Sequence, residues 1–293
     1  MAKAREIKKR IKAVGNIKRI TKTMQMIATS KFAKAQQRAL ASKPYVEGIF
    51  ELVTDLAAKA GNIEHPLIKG PARFKPDAKE IFLVVTSDRG LCGPYNSSIL
   101  RAALKILREQ GDKLTVQAIG RKGITSLTFN KIPIDARHAL GDTPKFEDVE
   151  RLANRYMNAF ISGEIKGVRI VSMKFISTAR QKLEVLQLLP LKPPAVEGAA
   201  KEEKPKTQVN YEFSPEPEQL LADLLPATVK ATLYQVFNDA IVSEHVARMV
   251  AMKSATDAAG KMGKLLGRRY NRARQGQITT ELTEIISGAA ALE

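Results

Sequence analysis

The stretch AREIKKRIKAVGNIKRITKTMQMIATSKFAKAQQRALASK, residues 4–43, decides the architecture of this chain. Ile7, Ile11, Val14, Ile17, Met24 and Ile27 recur mostly at intervals of three and four, with Lys and Arg between them. That spacing predicts an amphipathic helix. The pattern runs on through Phe32 and past Pro44 to Ile49, Leu52, Val53 and Leu56, and Gly61-Asn62 stops it. A helix of about 55 residues is about 80 Å long at the helical rise of 1.5 Å per residue. That exceeds the diameter of any domain the chain can build, so its apolar face needs a long partner.

The other end supplies one. Val229, Leu233, Val236, Phe237, Ala240, Ile241, Met249, Met262, Leu265, Leu266, Ile278, Leu282, Ile285 and Ile286 keep a three–four spacing with some drift. Leu220, Leu221, Leu224 and Leu225 start the pattern earlier, with a bend or a false start expected at Pro226. All 14 prolines fall between Pro44 and Pro226, so both ends are free of the residue that most disfavours a helix interior. Two stripes too long for their own domain bury most simply against each other. The compact middle returns the chain to its starting side, so the pair is antiparallel.

Charge follows the same division. The 293 residues carry a net +18. Residues 1–43 hold 13 Lys/Arg against Glu6 alone, and residues 248–274 hold 8 against Asp257 alone. The middle is close to neutral. A solvated helix face normally interleaves Glu with Lys, and one acid in 43 residues is far from that. Nucleic acid, a partner with an acidic face, and a plain solvated exterior are the three readings that composition leaves open. Only 5% of residues are aromatic and none is Trp, which argues against base stacking on exposed rings.

Between the helices the pattern alternates. Residues 81–86 read as a buried strand, 96–109 as a helix, 114–119 as a strand and 122–129 as a helix. Residues 132–134 follow as a strand, 146–161 as a helix, and 167–176 with 183–189 as a hairpin. This is a small, mainly parallel α/β sheet. The proline-rich residues 190–217 form an exposed connection, with an edge strand expected at 208–213.

Little catalytic chemistry is present. His65, His138 and His245 are far apart, and the single Cys92 excludes an internal disulfide framework or a Cys-rich zinc site. No Walker sequence and no Gly-x-Gly-x-x-Gly after a strand occurs. The turn Thr86-Ser87-Asp88-Arg89-Gly90-Leu91-Cys92-Gly93-Pro94-Tyr95-Asn96 lies between strand and helix, where doubly wound folds bind phosphate. Its glycine spacing fits no known cradle, which favours a Gly-rich surface turn. No run of eighteen apolar residues is present, and the basic start lacks the features of a signal peptide.

Several longer motifs carry a family resemblance. Residues 20–31 (ITKTMQMIATSK), 87–93 (SDRGLCG), 243–252 (SEHVARMVAM), 270–275 (YNRARQ) and 278–290 (ITTELTEIISGAA) resemble the gamma subunit of F-type ATP synthase, in order and along the whole chain. Pro94 departs from the family's second turn glycine. The resemblance implies an α/β protein with a long antiparallel coiled coil, its N- and C-terminal helices flanking a central Rossmann-like domain. The implied segments are 1–60, 61–217 and 218–293.

The function implied is a rotor shaft without a catalytic site or cofactor, transmitting torque from a membrane c-ring to a ring of alpha and beta subunits during proton-driven ATP synthesis. The implied partners are alpha, beta, epsilon and the c-ring, with no nucleic acid, and contact with the membrane only through the complex. The implied location is the cytoplasmic face of a bacterial cell membrane, as a peripheral protein. Arg274 and Gln275 would hydrogen-bond a loop of beta, with Arg248 coupled to them. Met24 would pack opposite this C-terminal segment, supported by Thr279, Glu281, Thr283 and Glu284. Asp88, Arg89 and Cys92 would face beta and epsilon at the lower rim. Tyr211 and Phe213 would lie near the c-ring and epsilon.

Overall fold

The computed structural model describes residues 2–60, 65–139, 141–191 and 217–290. The expected edge strand at 208–213, together with Tyr211 and Phe213, lies outside them. Two helices dominate, α1 (Ala2–Ala60) and α6 (Pro217–Ala290). Pro44 and Pro226 are each accommodated inside a continuous helix, so the residues before Pro226 are part of α6 and not a false start. Between them come α2 (Pro66–Lys69), β1 (Lys79–Val85), α3 (Tyr95–Gln110), β2 (Leu114–Ile119), α4 (Arg121–Phe129), β3 (Ala136–His138), α5 (Phe146–Ile161), β4 (Ile165–Phe175) and β5 (Gln181–Leu189).

The strands form one sheet in the order β3-β2-β1-β4-β5. β1 pairs in parallel with β2 and β4, and β2 with β3, while β4 and β5 form the expected antiparallel hairpin. Phe82 sits beside Val116 on one side and Arg169 on the other. The third strand starts later than its apolar residues suggest. Ile132 instead closes α4 by donating its N–H to Leu127 O at 3.0 Å, after Lys131 turns at φ 57°. Pairing begins only where Asp135 N reaches Val116 O at 2.9 Å.

The helices on the sheet are amphipathic by spacing. Tyr95, Ile99, Ala103 and Leu107 form the buried face of α3, and Val149, Ala153, Tyr156, Met157 and Phe160 that of α5. Glu147 and Asp148 in the first turn of α5 complement its dipole. At the strands' amino ends, Arg169 grips Glu80 with two hydrogen bonds of 3.1 and 2.5 Å and reaches Gln110 Oε1 at 3.1 Å. Charge-assisted bonds of this kind contribute about 1.5–3 kcal/mol each when shielded.

The chain divides into two compact units, Met1–Ser30 with Ala247–Glu293, and Lys31–Val246. In the second unit the inner halves of both long helices join the sheet's own core. Ile49, Val53 and Leu56 of α1 meet Leu221, Leu225, Val229, Leu233 and Phe237 of α6 in one cluster with Leu83, Ile170 and Leu189. The helix segments therefore do not separate from the sheet at residues 60 and 218 as a three-part reading implies.

Candidate functional site

In the first unit the two helices pair through a narrow seam. Val14, Thr21 and Ala28 are buried at intervals of seven on α1, and Met252, Thr256 and Ala259 on α6. Thr256 Oγ1 donates to Thr21 Oγ1 at 2.8 Å. Lys18 lies over Gly260, and Val14 beside Gly263. Partner numbers thus add to about 277, and the pair is antiparallel as the sequence predicts. Of the expected stripe, Val14 is buried and Ile7, Ile11 and Met24 are half-buried, whereas Ile17 and Ile27 face outward and Thr21 and Ala28 take their places. Ile17 and Ile27 are 52% exposed, as are Ile20 at 57% and Met262 at 54%. Small residues take the contact because they let two helix backbones approach, and the larger side chains are left facing outward.

This register locates the residues implied by the resemblance. Met24 stands opposite residue 253, about 30 Å along the helix from Arg274 at 1.5 Å per residue. The packing of Met24 against the 274–284 segment is therefore not made within the chain. Ala2, the first described residue of α1, stands opposite residue 275. Beyond that point α6 has no α1 residue beside it. Ile278, Leu282, Ile285 and Ile286 are 52–72% exposed. Arg274 and Gln275 are exposed, and Arg248 is half-buried. Thr279 Oγ1 donates back to Gln275 O at 3.0 Å, and Gln277 Nε2 donates to Glu281 Oε1 at 2.8 Å. Lys18, Arg19 and Lys22 border an open notch of about 490 Å³ with Gly15 and Thr256.

In the second unit the turn after β1 is knotted by its own side chains. Asn96 Oδ1 accepts from Ser87 N at 3.0 Å, and Asn96 Nδ2 reaches Ser87 Oγ at 2.7 Å and Cys92 Sγ at 3.2 Å. Asp88 Oδ1 accepts the Arg121 N–H at 3.0 Å. Ser87 N, at the start of the turn, is thereby engaged. These bonds favour a structural turn over a phosphate cradle. Cys92 is 2% exposed and holds the turn from inside, whereas Leu91 projects outward, 61% exposed, at φ 66°.

Doubly wound sheets bind ligands in the crevice outside the carboxyl ends of their strands, where the strand order reverses. Here that reversal is between β1 and β4. The chain's own helices fill the place. Tyr95 Oη donates to Ala240 O at 3.1 Å, Ser243 Oγ donates to Met173 O at 3.5 Å, and the Phe32 and Phe175 rings lie 6.2 Å apart. Ala35 and Ala39 pack on Ile241 and Val242. Beside them, Lys31 Nζ donates to Asp142 Oδ2 at 2.5 Å and holds its carboxyl below the usual range. Arg38 donates to Asp142 O at 3.2 Å. The sequence gives no sign of this filling, because every contact joins residues far apart in the chain.

Elsewhere Gln117 is buried and Asp239 half-buried. Gln117 Oε1 accepts from Tyr156 Oη at 2.8 Å and from His138 Nε2 at 2.9 Å, while Gln117 Nε2 donates to Asp135. Burial lowers the His138 pKa, and Arg155 lowers it further. This cluster joins β2, β3 and α5 with its donors engaged. Asp239, on α6, accepts from Gln235 Nε2 at 3.0 Å, and Ser42 Oγ of α1 donates to Gln235 Oε1 at 3.1 Å. Burial pushes the Asp239 carboxyl up to about 6, and Glu184 nearby acts in the same sense.

The folded pKa of Asp239 is the raised one, so its unfavourable contribution sets in as pH climbs from about 4 through 6. Asp239→Asn is therefore expected to stabilise the protein at pH 8 by about 1–2 kcal/mol, a gain that vanishes near pH 4. Urea unfolding at both pH values measures it, and an equal effect at both contradicts this account. Among the described residues no three His, Cys, Asp or Glu side chains are placed to hold a metal ion. No described helix is long and apolar enough to cross a membrane.

Comparison with known proteins adds to this geometry. The sequence pattern of a family described as ATP synthase (ATP-synt) matches residues 3–292. An ATP synthase gamma chain of Rhodopirellula baltica is 44% identical over 298 residues, with both chains fully covered. One from Paracidovorax citrulli is 40% identical over 299 residues, again over the full length of both. A chain in the cryo-EM structure of Euglena gracilis mitochondrial ATP synthase (OSCP/F1/c-ring, rotational state 3) has the same fold, with TM-score 0.66 at 18% identity. That match covers 99% of this chain and 95% of the other.

Proposed function

This chain belongs to the ATP synthase gamma-chain family, and from that membership we propose that it is the central rotor shaft of an F1Fo ATP synthase. It transmits torque from a membrane c-ring to a ring of alpha and beta subunits during proton-driven ATP synthesis. The observation that carries this reading is the antiparallel helix pair in fixed register, whose seam is internal and whose cations face outward. An asymmetric rod offers each beta subunit a different face, and differential contact free energy is what drives identical subunits into different states. The subunit itself carries no catalytic site; ATP forms on beta.

The contacts follow from the same reading. Arg274 and Gln275 meet a loop of beta, with Arg248, Met24, Thr279 and Glu281 in the same rotor surface. The outward row Ile17, Ile20 and Ile27, flanked by cations, suits acidic amphipathic segments of the ring. The apolar end of α6 suits a low-friction apolar sleeve. Asp88 and Arg89 face beta and epsilon with Cys92 as their internal support, and Tyr211 and Phe213 meet the c-ring and epsilon. The subunit is peripheral, held to the cytoplasmic face of a bacterial cell membrane only through the complex.

Co-purification with alpha and beta from the native source is the direct test, followed by rotation of a bead attached to this chain in the reassembled complex. We expect ATP-driven rotation with three dwell positions per turn, one for each beta subunit. A chain that purifies alone, or a complex whose bead does not turn, overturns the assignment.

A further inference from the structure

We propose that the carboxyl-end crevice of the sheet, a ligand site in other doubly wound folds, serves here as a chuck that grips the protein's own helix pair against rotation. The inference rests on the rotor reading above and says where within the second unit torque is borne.

The seam between two helices and their packing on a sheet are largely apolar, and hydrophobic burial has no direction. Such packing holds the helices down, and interdigitation gives it part of its resistance to turning. Directional contacts resist turning, and they converge on this crevice. Tyr95 is 3% exposed and its phenol donates to Ala240 O at 3.1 Å. A mid-helix carbonyl already accepts a bond from its own helix, so the phenol is not needed to satisfy α6. It fixes the helix's azimuth instead.

One turn further, Ser243, fully buried, donates to the Met173 carbonyl near the end of β4. On α1, Phe32 packs its ring against Phe175 in a tilted pair with 59° between the ring planes. Lys31 and Arg38, two turns apart on α1, both hold Asp142. Both helices are thus keyed at one level, from β4, from α3 and from the loop before α5. The knotted turn is part of the device, because Asn96, which ties Ser87 and Cys92 together, is the neighbour of Tyr95 and sets where the phenol emerges.

The test uses the assembled complex with the base of this chain immobilised and a bead reading the thermal angular fluctuation of the shaft. Tyr95→Phe combined with Ser243→Ala removes two hydroxyls and no packing volume of consequence. We expect the angular variance to at least double, with ATP synthesis falling more than ATP hydrolysis. Arg169→Ala, which weakens the far end of the sheet, is the control for stability alone and leaves the variance unchanged. If the double variant does not fold, Tyr95→Phe alone is read, with a smaller rise expected. Variance equal to the unmodified chain overturns the chuck. An unmodified chain that neither assembles nor rotates overturns the rotor reading instead, so the two failures are distinct.

Discussion

Gly120→Ala is expected to abolish stable folding of the second unit. Gly120 adopts φ +89°, and a Cβ there would stand 2.2 Å from Thr86 O and 2.7 Å from Thr86 Oγ1. Neither atom can yield. Thr86 N donates to Ile119 O at 2.9 Å, Thr86 Oγ1 donates to the same carbonyl at 2.8 Å, and Gly123 N donates to Thr86 Oγ1 at 2.9 Å. The methyl must therefore prise apart the ends of β1 and β2, the central parallel pair. Backbone strain and overpacking each contribute about 1–3 kcal/mol, and losing the clasp brings the total to about 4 kcal/mol or more. Gly15→Ala is the contrast. No atom lies within 4 Å of its Cβ position, so the helix gains about 0.5–1 kcal/mol. Denaturant midpoints of both variants read the difference, and a Gly120→Ala protein within 1 kcal/mol of the parent, roughly the scale of an ordinary surface change, contradicts this account.

The second large effect concerns the rotor surface. Arg274→Ala and Gln275→Ala are each expected to lower ATP turnover of the reconstituted complex about tenfold or more, a loss of about 1.4 kcal/mol in the transition state. Both side chains are exposed, where α6 runs out of α1 to pack against. Substitution there leaves the isolated chain's stability within about 0.5 kcal/mol. Turnover and unfolding midpoint are measured on the same variants. Unchanged turnover refutes the contact with beta, and a collapsed midpoint refutes its placement on the rotor surface.

Much of the fold is legible in the sequence, because its signals are local. The helix 146–161 matches α5 residue for residue, and strand 114–119 matches β2. In each case buried positions follow the period of the element. The strand expected at 132–134 failed for a local reason that apolar content hides, since Ile132 completes the end of α4. The site was less legible. Its outline, basic helices and a bare apolar end, is compositional. Its assembled part is not, because Tyr95 and Ala240 are 145 positions apart.

By itself the sequence determined that both ends are long helices, that they carry the positive charge, and that an alternating α/β segment lies between them. Period, proline placement and charge act within a few turns of chain, so no partner is needed to read them. Only the tertiary structure decided which face of α1 is the seam. That helix carries two apolar rows; Val14, Thr21 and Ala28 form the seam, with Ile7, Ile11 and Met24 half-buried beside them, while Ile17, Ile20 and Ile27 face outward. Close packing depends on how near two backbones can come, a property of the pair and its register. The same holds for the crevice, which becomes a grip rather than a ligand site only once α1 and α6 have folded back into it.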